Sequence, residues 1–380
     1  MSYQSKVRFF LPFILALGLP AAHAQSWKTL TSGADSNLRG ISAAYYSADR
    51  SKPPKIAVWT SGSNGAVLRS LDDGKTWSRL SVRGGENLDF RGIVAVDDQI
   101  AYLMSSGEGE KSRIYKTMDG GAKWELQYSD RRKAFFLDSI ACTSEKDCYA
   151  LGDPIDGKFV LLQTQNGSTW NALSAEALPK ALPGEGAFAA SNTCIHVDSD
   201  NGLYFVTGGK AARVFHSVDW GKTWSVQDVP IAKSNASSGI FSIAVDGETV
   251  VVVGGDYQQP GSALGDAAFS SDHGATWRIA NESPGGYRSA VASVDGALFV
   301  AVGTNGTDIS EDRGVHWKHS DRINLNSVFV LDELNAWAAG PDGTIARFHN
   351  PKQYEIDNRG PDDIPSSGLG LARTTTSRVR

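Results

Sequence analysis

One eight-residue pattern recurs along the chain and constrains its fold more than any other feature. The pattern reads S-x-D-x-G-x-T-W, and we refer to each copy as a box. The six boxes span residues 70–77, 117–124, 163–170, 217–224, 270–277 and 310–317. The third is the most divergent, with Gln165 at the aspartate position. Because the box tryptophans recur every 40 to 54 residues, the sequence predicts a repeat architecture that closes into one body.

Each box predicts a tight turn between two strands. An aspartate carboxylate accepts hydrogen bonds from backbone N–H groups just downstream, and the glycine permits a positive φ. The Thr-Trp pair then starts a strand with a large apolar anchor. Six catalytic acids at regular spacing make no chemical sense, so we expect the box aspartates to be structural.

The two ends of the repeat array complete each other. Residues 27–30 look like the strand that follows a box, yet no box precedes them. Residues 326–331, 336–340 and 344–349 predict three strands of a repeat that lacks its box and its last strand. Six boxed repeats and one shared repeat therefore predict an all-β fold, a seven-bladed β-propeller closed by the N-terminal strand in the last blade. Closure leaves no open sheet edge.

Composition divides the chain into three predicted segments. Residues 1–24 read as a secretory signal peptide, because two basic residues precede the apolar run 9–19 and Ala-His-Ala follows as a cleavage site. Residues 25–350 form the propeller, and the Pro-, Gly- and Ser-rich segment 351–380 is expected to be a disordered tail. The apolar run is too short to anchor the chain. We therefore expect an exported monomer, periplasmic or secreted, without stable membrane insertion.

Charge and cysteine content narrow the function classes. The net charge of −5 argues against a nucleic-acid partner. The seven histidines show no metal-ligand spacing, and nucleotide-binding motifs are missing, so we expect no metal, no cofactor and no assigned catalytic residue. Cys142 and Cys148 flank a polar hairpin tip; their spacing leaves open whether they form a disulfide. Cys194 is expected to be a buried free thiol.

Aligning the first strands of the predicted blades suggests a binding site at the mouth of the central channel. On this alignment Arg39, Arg91 and Arg288 converge there, with Asp138 and Asn326 in the same ring. Three converging arginines would bind carboxylates. Alternatively, each arginine pairs with a nearby acid and joins adjacent blades.

Two longer repeats carry insertions, at residues 174–186 and 256–266, and such insertions often build the binding face of a propeller. Glu185 and Asp256 lie at their edges, and Tyr287 precedes Arg288, so all three are further candidates for ligand binding. The remaining candidates for the rim, or for pairing with the arginines, are Glu108, Asp153, Lys210 and Tyr257.

The boxes resemble the Asp-box, or BNR, repeat of sialidases and related propellers. The stretch R-I-Y-K-T-M-D-G-G at 113–121 and the recurring R-G-[IV] strands are similar to the photosystem II stability/assembly factor-like family, whose members are exported and seven-bladed. This resemblance implies a non-enzymatic assembly factor that captures a protein or acidic partner through an arginine patch, here Arg39, Arg91 and Arg288. Residues 150–157 and 182–188 look like a bacterial branch of that family.

A sialidase-like glycoside hydrolase acting on acidic glycans is the alternative. Sialidases pair an arginine triad with a Tyr–Glu nucleophile and an aspartic acid. They also carry an R-I-P motif, where this chain has Arg39-Gly40-Ile41, and they are typically six-bladed. We favour the binding propeller.

Overall fold

Seven antiparallel sheets form the computed structural model of the protein, which describes residues 26–349 apart from 48, 50, 175, 176, 201 and 264. They are the blades of a seven-bladed β-propeller, so the predicted fold class is confirmed. A single 3₁₀ turn, Gly109–Lys111, is the only helical segment in this part of the chain. The predicted signal peptide and C-terminal tail lie outside the described residues.

The first half of the chain builds three blades in sequence order, after a strand that belongs to the last blade. That strand is β1 (Ser26–Thr31). Blade one consists of β2 (Leu38–Tyr46), β3 (Lys55–Gly62), β4 (Val67–Ser70) and β5 (Ser78–Arg79). Blade two consists of β6 (Asp89–Ala95), β7 (Ala101–Ser106), β8 (Arg113–Thr117) and β9 (Glu125–Ser129). Blade three consists of β10 (Leu137–Cys142), β11 (Cys148–Ile155), β12 (Lys158–Thr164) and β13 (Asn171–Ala172).

The second half builds the remaining blades and adds two short strands, β14 (Glu185–Gly186) and β17 (Gly208–Gly209), to the inner edge of blade five. Blade four consists of β15 (Ile195–Asp198), β16 (Gly202–Val206), β18 (Arg213–Ser217) and β19 (Ser225–Asp228). Blade five consists of β20 (Ser238–Asp246), β21 (Thr249–Asp256), β22 (Ala267–Ser270) and β23 (Arg278–Ile279). Blade six consists of β24 (Ala290–Ser293), β25 (Phe299–Gly303), β26 (Gly306–Ser310) and β27 (Lys318–Asp321). Blade seven consists of β28 (Ser327–Asp332), β29 (Asn335–Ala339), β30 (Thr344–His349) and β1.

Strand β1 closes the ring as predicted. It pairs antiparallel with β30 over its whole length, from Ser26 opposite His349 to Thr31 opposite Thr344. Trp27 is buried, and its indole Nε1 donates a hydrogen bond to Thr307 Oγ1 of blade six at 3.0 Å. The N-terminal strand therefore completes the sheet of blade seven and contacts the neighbouring blade as well.

The first box shows how the repeat makes its turn. Ser70 Oγ accepts the N–H of Gly74 at 2.8 Å. The Asp72 carboxylate accepts the N–H of Thr76 at 2.8 Å and its hydroxyl at 2.7 Å. The indole of Trp77 donates to the Gly74 carbonyl at 3.1 Å, which ties the anchor to the turn. The aspartate thus stabilises the backbone of the turn through hydrogen bonds, as expected of a structural residue.

The divergent third box has seven residues, one fewer than the eight-residue pattern predicts. Its first hydroxyl is that of Thr164, which accepts the N–H of Gly167 at 3.0 Å. Asn166 Oδ1 accepts the N–H groups of Ser168 and Thr169 at 2.9 and 2.8 Å. Asn166, rather than Gln165, therefore replaces the aspartate, because an amide oxygen can accept the same hydrogen bonds.

The box glycines also set the spacing between blades. A Cβ added to Gly74 would lie 3.1 Å from Cδ1 of Leu30 in β1, the last strand of the preceding blade. One added to Gly221 would lie only 2.3 Å from Cδ2 of Leu173, which follows β13 of blade three. These glycines have φ of 85° and 89°. Glycine therefore suits both the turn and the close approach of the preceding blade.

The cysteines divide into one pair and one buried thiol. Cys142 and Cys148 form a disulfide across the tip of the β10–β11 hairpin. Cys194 is fully buried, and burial raises the pKa of its thiol. Over the described ranges, no helix is long and apolar enough to cross a bilayer, and no three His, Cys, Asp or Glu residues are grouped to hold a metal ion.

Replacing Trp27 tests the contribution of ring closure to stability. Trp27→Ala removes the hydrogen bond to Thr307 and the edge-to-face contact with Phe348, whose ring centroid lies 5.1 Å away. We expect the free energy of unfolding to fall by about 3–5 kcal/mol, as measured by urea denaturation. Lys28→Ala, at an exposed position of the same strand, is the matched control and should change it by less than about 0.5 kcal/mol. Equal effects of the two substitutions would contradict a closing role for Trp27.

Acid should weaken the box turns. The hydroxyl of Thr76 contributes most to lowering the pKa of Asp72 to about 2, and similar hydroxyl hydrogen bonds lower the pKa of Asp219 and Asp272 to about 2. Because these pKa values lie below the unfolded value of about 3.9, the stability they contribute is present above about pH 4 and is lost as pH falls toward about 2.

A variant with asparagine at these three positions should therefore show a smaller loss of stability between about pH 4 and 2 than the wild-type chain. The urea midpoint measured across this range checks the prediction. If both proteins lose stability with the same slope, other carboxylates control the acid response.

Candidate functional site

A cavity of about 980 Å³ opens where the first strands of the blades begin. We call it the central pocket. It combines arginines, carboxyl groups and aromatic rings from at least five blades. The side chains that line it include Arg39, Arg91, Asp138, Asp153, Phe188, Phe241, Tyr257, Tyr287 and Asn326.

A backbone bulge at the start of several first strands directs one residue per blade toward the pocket. The pairing of β2 with β3 shifts between Leu38 and Gly40, which leaves Arg39 unpaired in the ladder. The same shift occurs at Arg91 in β6 and at Asp138 in β10. A bulge re-aims the extra residue, so these three side chains reach the pocket by one shared device.

Arg288 does not occupy this position, and the expected convergence of three arginines is wrong. A Cβ on Gly62 would lie 2.8 Å from the Cα of Leu38, and one on Gly303 would lie 3.2 Å from the Cα of Arg288. Arg288 is therefore the counterpart of the buried Leu38. The residue that corresponds to Arg39 in blade six is Ser289, which lines the pocket.

Arg288 instead joins parts of blade six. Its side chain has no exposed surface, and its Nε donates to Asp308 Oδ2 at 2.6 Å. Its Nη1 donates to Asn305 Oδ1 at 2.5 Å and to the carbonyl of Tyr287 at 2.8 Å. For this arginine the alternative of pairing with an acid is correct, but the pair lies within blade six rather than between adjacent blades.

Arg39 and Arg91 form the basic side of the pocket. Arg91 donates from Nε to Asp89 Oδ2 at 2.7 Å and from Nη1 to the carbonyl of Ala189 at 2.9 Å. Arg39 Nε is buried and has no hydrogen-bond partner among the described residues. Burial, followed by the charge of Arg91, lowers the pKa of Arg39. Two guanidinium groups thus lie close together, and one has an unused buried donor.

Asp138 and Asp153 form the acidic side. The Asp138 side chain is 1% exposed, and neither carboxyl oxygen has a hydrogen-bond partner within the described part of the chain. Burial and the neighbouring Asp153 raise the pKa of Asp138 well above its usual range, although Arg91 acts in the opposite direction. Burial also raises the pKa of Asp153, whose Oδ1 accepts the N–H of Ala187 at 3.0 Å. A carboxyl group held nearer its neutral form can donate as well as accept a hydrogen bond.

Aromatic rings that sequence reasoning largely missed form a third side. Phe188 and Phe241 stack with centroids 3.8 Å apart, and Tyr287 meets Phe241 edge to face at 4.8 Å. Tyr257, in the second insertion, is 48% exposed at 6.5 Å from Tyr287. Burial raises the pKa of Tyr287. The stretch Ile240-Phe241-Ser242 fits the apolar–x–small order of the other first strands, but a phenylalanine at the middle position is typical of core rather than of a binding site.

Three further candidates are held mainly by structural contacts. The Glu185 carboxylate accepts Arg213 Nε at 2.8 Å and the Thr207 hydroxyl at 2.6 Å, although Glu185 also lines the pocket. Asn326 lies in the predicted ring, and its amide donates to the Leu38 carbonyl at 2.7 Å across the blade seven–blade one boundary. Asp256 accepts the Ser237 hydroxyl at 2.6 Å and is not among the pocket-lining residues described, so its predicted place in the site is wrong.

Comparison with known proteins identifies structural neighbours only. No protein-family model and no curated protein matches the sequence. A solved structure of YCF48 bound to D1 peptide is similar, with a TM-score of 0.60 and 15% identity over 87% of this chain and 99% of that one. YCF48 from Cyanidioschyzon merolae is also similar, with a TM-score of 0.60 and 17% identity over 85% of this chain and 98% of that one. At these identities the likeness shows a shared propeller fold.

Two arginine substitutions separate structural from pocket roles. Arg288→Ala leaves Asp308, which is 1% exposed, buried without its arginine partner, so we expect a loss of about 3–5 kcal/mol in unfolding free energy. Arg39→Ala removes a side chain without an acidic hydrogen-bond partner in the described residues and should cost less than about 1 kcal/mol. Denaturant unfolding of both variants checks the contrast. A stable Arg288→Ala protein would show that the pair with Asp308 is dispensable.

Proposed function

We propose that the protein is a non-enzymatic binding propeller that captures an extended segment of another protein in the central pocket. The observation that carries the proposal is the set of buried polar atoms without partners: both oxygens of Asp138 and Nε of Arg39. A buried polar group that lacks a hydrogen bond costs free energy, so such groups in a pocket indicate a missing ligand. A peptide backbone presents both the N–H donors that Asp138 lacks and the C=O acceptors that Arg39 lacks.

The composition of the pocket also suits a protein segment. Aromatic residues and arginine contribute most of the energy in protein interfaces, and here Phe241 and Tyr287 face the same cavity as Arg39 and Arg91. The cavity of about 980 Å³ is at the upper end of the usual size for a ligand pocket. Because the bulges hold the arginines on blade strands, binding needs little ordering of the chain, which favours affinity.

Similar proteins support a protein partner. One of the similar solved structures reported above is described as YCF48 bound to D1 peptide. The boxes and the stretch at 113–121 resemble the photosystem II stability/assembly factor-like family, which points to the same class of activity. Among possible clients we favour a segment with an acidic side chain, because two arginines lie side by side.

We also propose that the protein acts outside the cytoplasm. The N-terminal sequence has the features of a secretory signal. The Cys142–Cys148 disulfide fits an oxidising compartment, where such bonds persist. Export followed by cleavage near residue 25 would release the propeller into the periplasm or the medium.

The sialidase-like alternative has less support. Sialidases use three arginines, but Arg39 and Arg91 are the only arginines among the described residues of the pocket. Arg288 is buried against Asp308, and Glu185 is paired with Arg213. Since the third arginine and a free glutamate are both missing there, the pocket is better suited to binding than to hydrolysis.

Selection of peptides on the purified protein tests the proposal. Random short peptides displayed on phage should yield binders, and a selected peptide should lose at least about tenfold in affinity on Arg39→Gln and on Asp138→Leu. Lys28→Ala, at an exposed position on β1, the outer strand of blade seven, should leave the affinity unchanged. Calorimetric titration of each variant gives the dissociation constants.

Three outcomes would contradict the proposal. The first is that the selection yields no peptide that binds, and the second is that the pocket substitutions leave the affinity of the selected peptide unchanged. The third outcome is that the protein hydrolyses a sialoside reporter and that Arg39→Gln abolishes this activity. The last result would favour the glycosidase. A thermal melt of each variant distinguishes lost binding from lost fold.

A further inference from the structure

A second cavity, of about 690 Å³, lies between blades three and four, apart from the central pocket. We call it the interblade groove. Tyr149 and Gln163 line it from strands of blade three, and Asp147 lines it from the β10–β11 hairpin tip. Trp220 and Lys222 line it from the box of blade four. It shares no lining residue with the central pocket.

Trp220 occupies an unfavourable position for a tryptophan. It is the fourth residue of its box and has a φ of 62°. The same position is held by Asp73, Gly120, His273 and Arg313 in other boxes, all with positive φ. Glycine, aspartate and histidine adopt this backbone conformation more readily than a large side chain such as that of tryptophan. Trp220 is also 37% exposed and lines the groove, so part of the indole surface is accessible there.

The groove offers a flat apolar surface beside several polar groups. The Trp220 ring lies nearly parallel to that of Tyr149, with 18° between the planes and centroids 6.3 Å apart. Gln163 Nε2 donates to the Tyr149 hydroxyl at 2.5 Å. Burial raises the pKa of Tyr149 to about 12, so its hydroxyl keeps a proton to donate at neutral pH. The exposed amide of Gln165 adds both a donor and an acceptor.

The charges of the groove cancel. Of the described residues that line it, Asp147 and Lys222 are the charged ones, one of each sign. A phosphate or carboxylate ligand would call for several cationic groups, and the groove provides one. The lining therefore suits an uncharged ligand rich in hydroxyl groups.

The acidic side of the groove is held in place covalently. The Cys142–Cys148 disulfide closes the hairpin that carries Asp147. Within it the N–H of Thr143 donates to the Asp147 carbonyl at 3.0 Å, and the Ser144 hydroxyl donates to Asp147 Oδ2 at 3.2 Å. A fixed acceptor lowers the entropic cost of binding.

We propose that the interblade groove binds a neutral sugar ring. The C–H face of the ring packs on the Trp220 indole, and its hydroxyl groups hydrogen-bond with Asp147, Gln163 and Gln165. A hydroxyl group both donates and accepts, and this set of one carboxylate and two amides offers both partners. The inference is independent of peptide capture in the central pocket.

Calorimetric titration of the purified full chain with maltotriose, cellotriose and triacetylchitotriose tests the proposal. At least one of these neutral trisaccharides should bind with a dissociation constant below about 1 mM. Trp220→Gly should weaken that binding at least about tenfold. Glycine occupies the same box position at residue 120, so this substitution is compatible with the folded turn. His273→Gly is the matched control in another blade and should have no effect.

Two further variants keep the test decisive. Gln165→Ala changes an exposed side chain and should also weaken binding, even if Trp220→Gly proves unstable in a thermal melt. Arg39→Gln should not affect it, because Arg39 lies in the central pocket. The proposal is overturned if none of the three sugars binds, if Trp220→Gly and Gln165→Ala leave the affinity unchanged, or if only an anionic trisaccharide such as trigalacturonate binds.

Discussion

The contact between a box glycine and the preceding blade is the constraint on which the ring depends. A Cβ at Gly74 would lie 3.1 Å from Leu30 Cδ1 and one at Gly221 only 2.3 Å from Leu173 Cδ2, so a larger residue would have to displace the leucine side chain. The glycine stays there because the first hydroxyl of the box accepts its N–H and the carboxylate holds the residues that follow. One local turn therefore sets both the end of a hairpin and the distance between blades. Repeating it around the chain produces a closed ring.

Because the same turn recurs in each boxed repeat, much of the fold could be predicted from the sequence. A pattern that recurs with its spacing intact reports a structural unit, and the unmatched strands at the two ends identified the shared blade. The third box shows the limit. An eight-residue spacing predicts Gln165 at the aspartate position of this box. In the structure the turn begins at Thr164, and Asn166 takes the place of the aspartate. A one-residue deletion cannot be located when an amide that replaces the carboxylate lies next to another amide.

The candidate site was less predictable because it depends on register. The alignment of Arg39, Arg91 and Asp138 agrees with the structure, since each is the extra residue of the same bulge. Tyr287-Arg288-Ser289 has the same apolar–polar–small order but is displaced by one residue, and a shift of one residue moves a side chain to another face. The order of residue types cannot reveal that Arg288 faces Asp308, twenty positions later. Likewise, the sequence does not predict Phe241 as a pocket residue, because an aromatic residue in a strand usually indicates core.

The pairing of β1 with β30 brings the two ends of the described chain together. Ser26 lies directly opposite His349, on the outer side of blade seven. Any peptide fused to either end thus leaves the ring at one place, with the central pocket held at the same orientation to it. A short linker between these ends would produce an uninterrupted circle, which could be reopened at an exposed loop of another blade. The start of the chain would then move while every blade kept its neighbours, as in circular permutants of other domains whose termini are close.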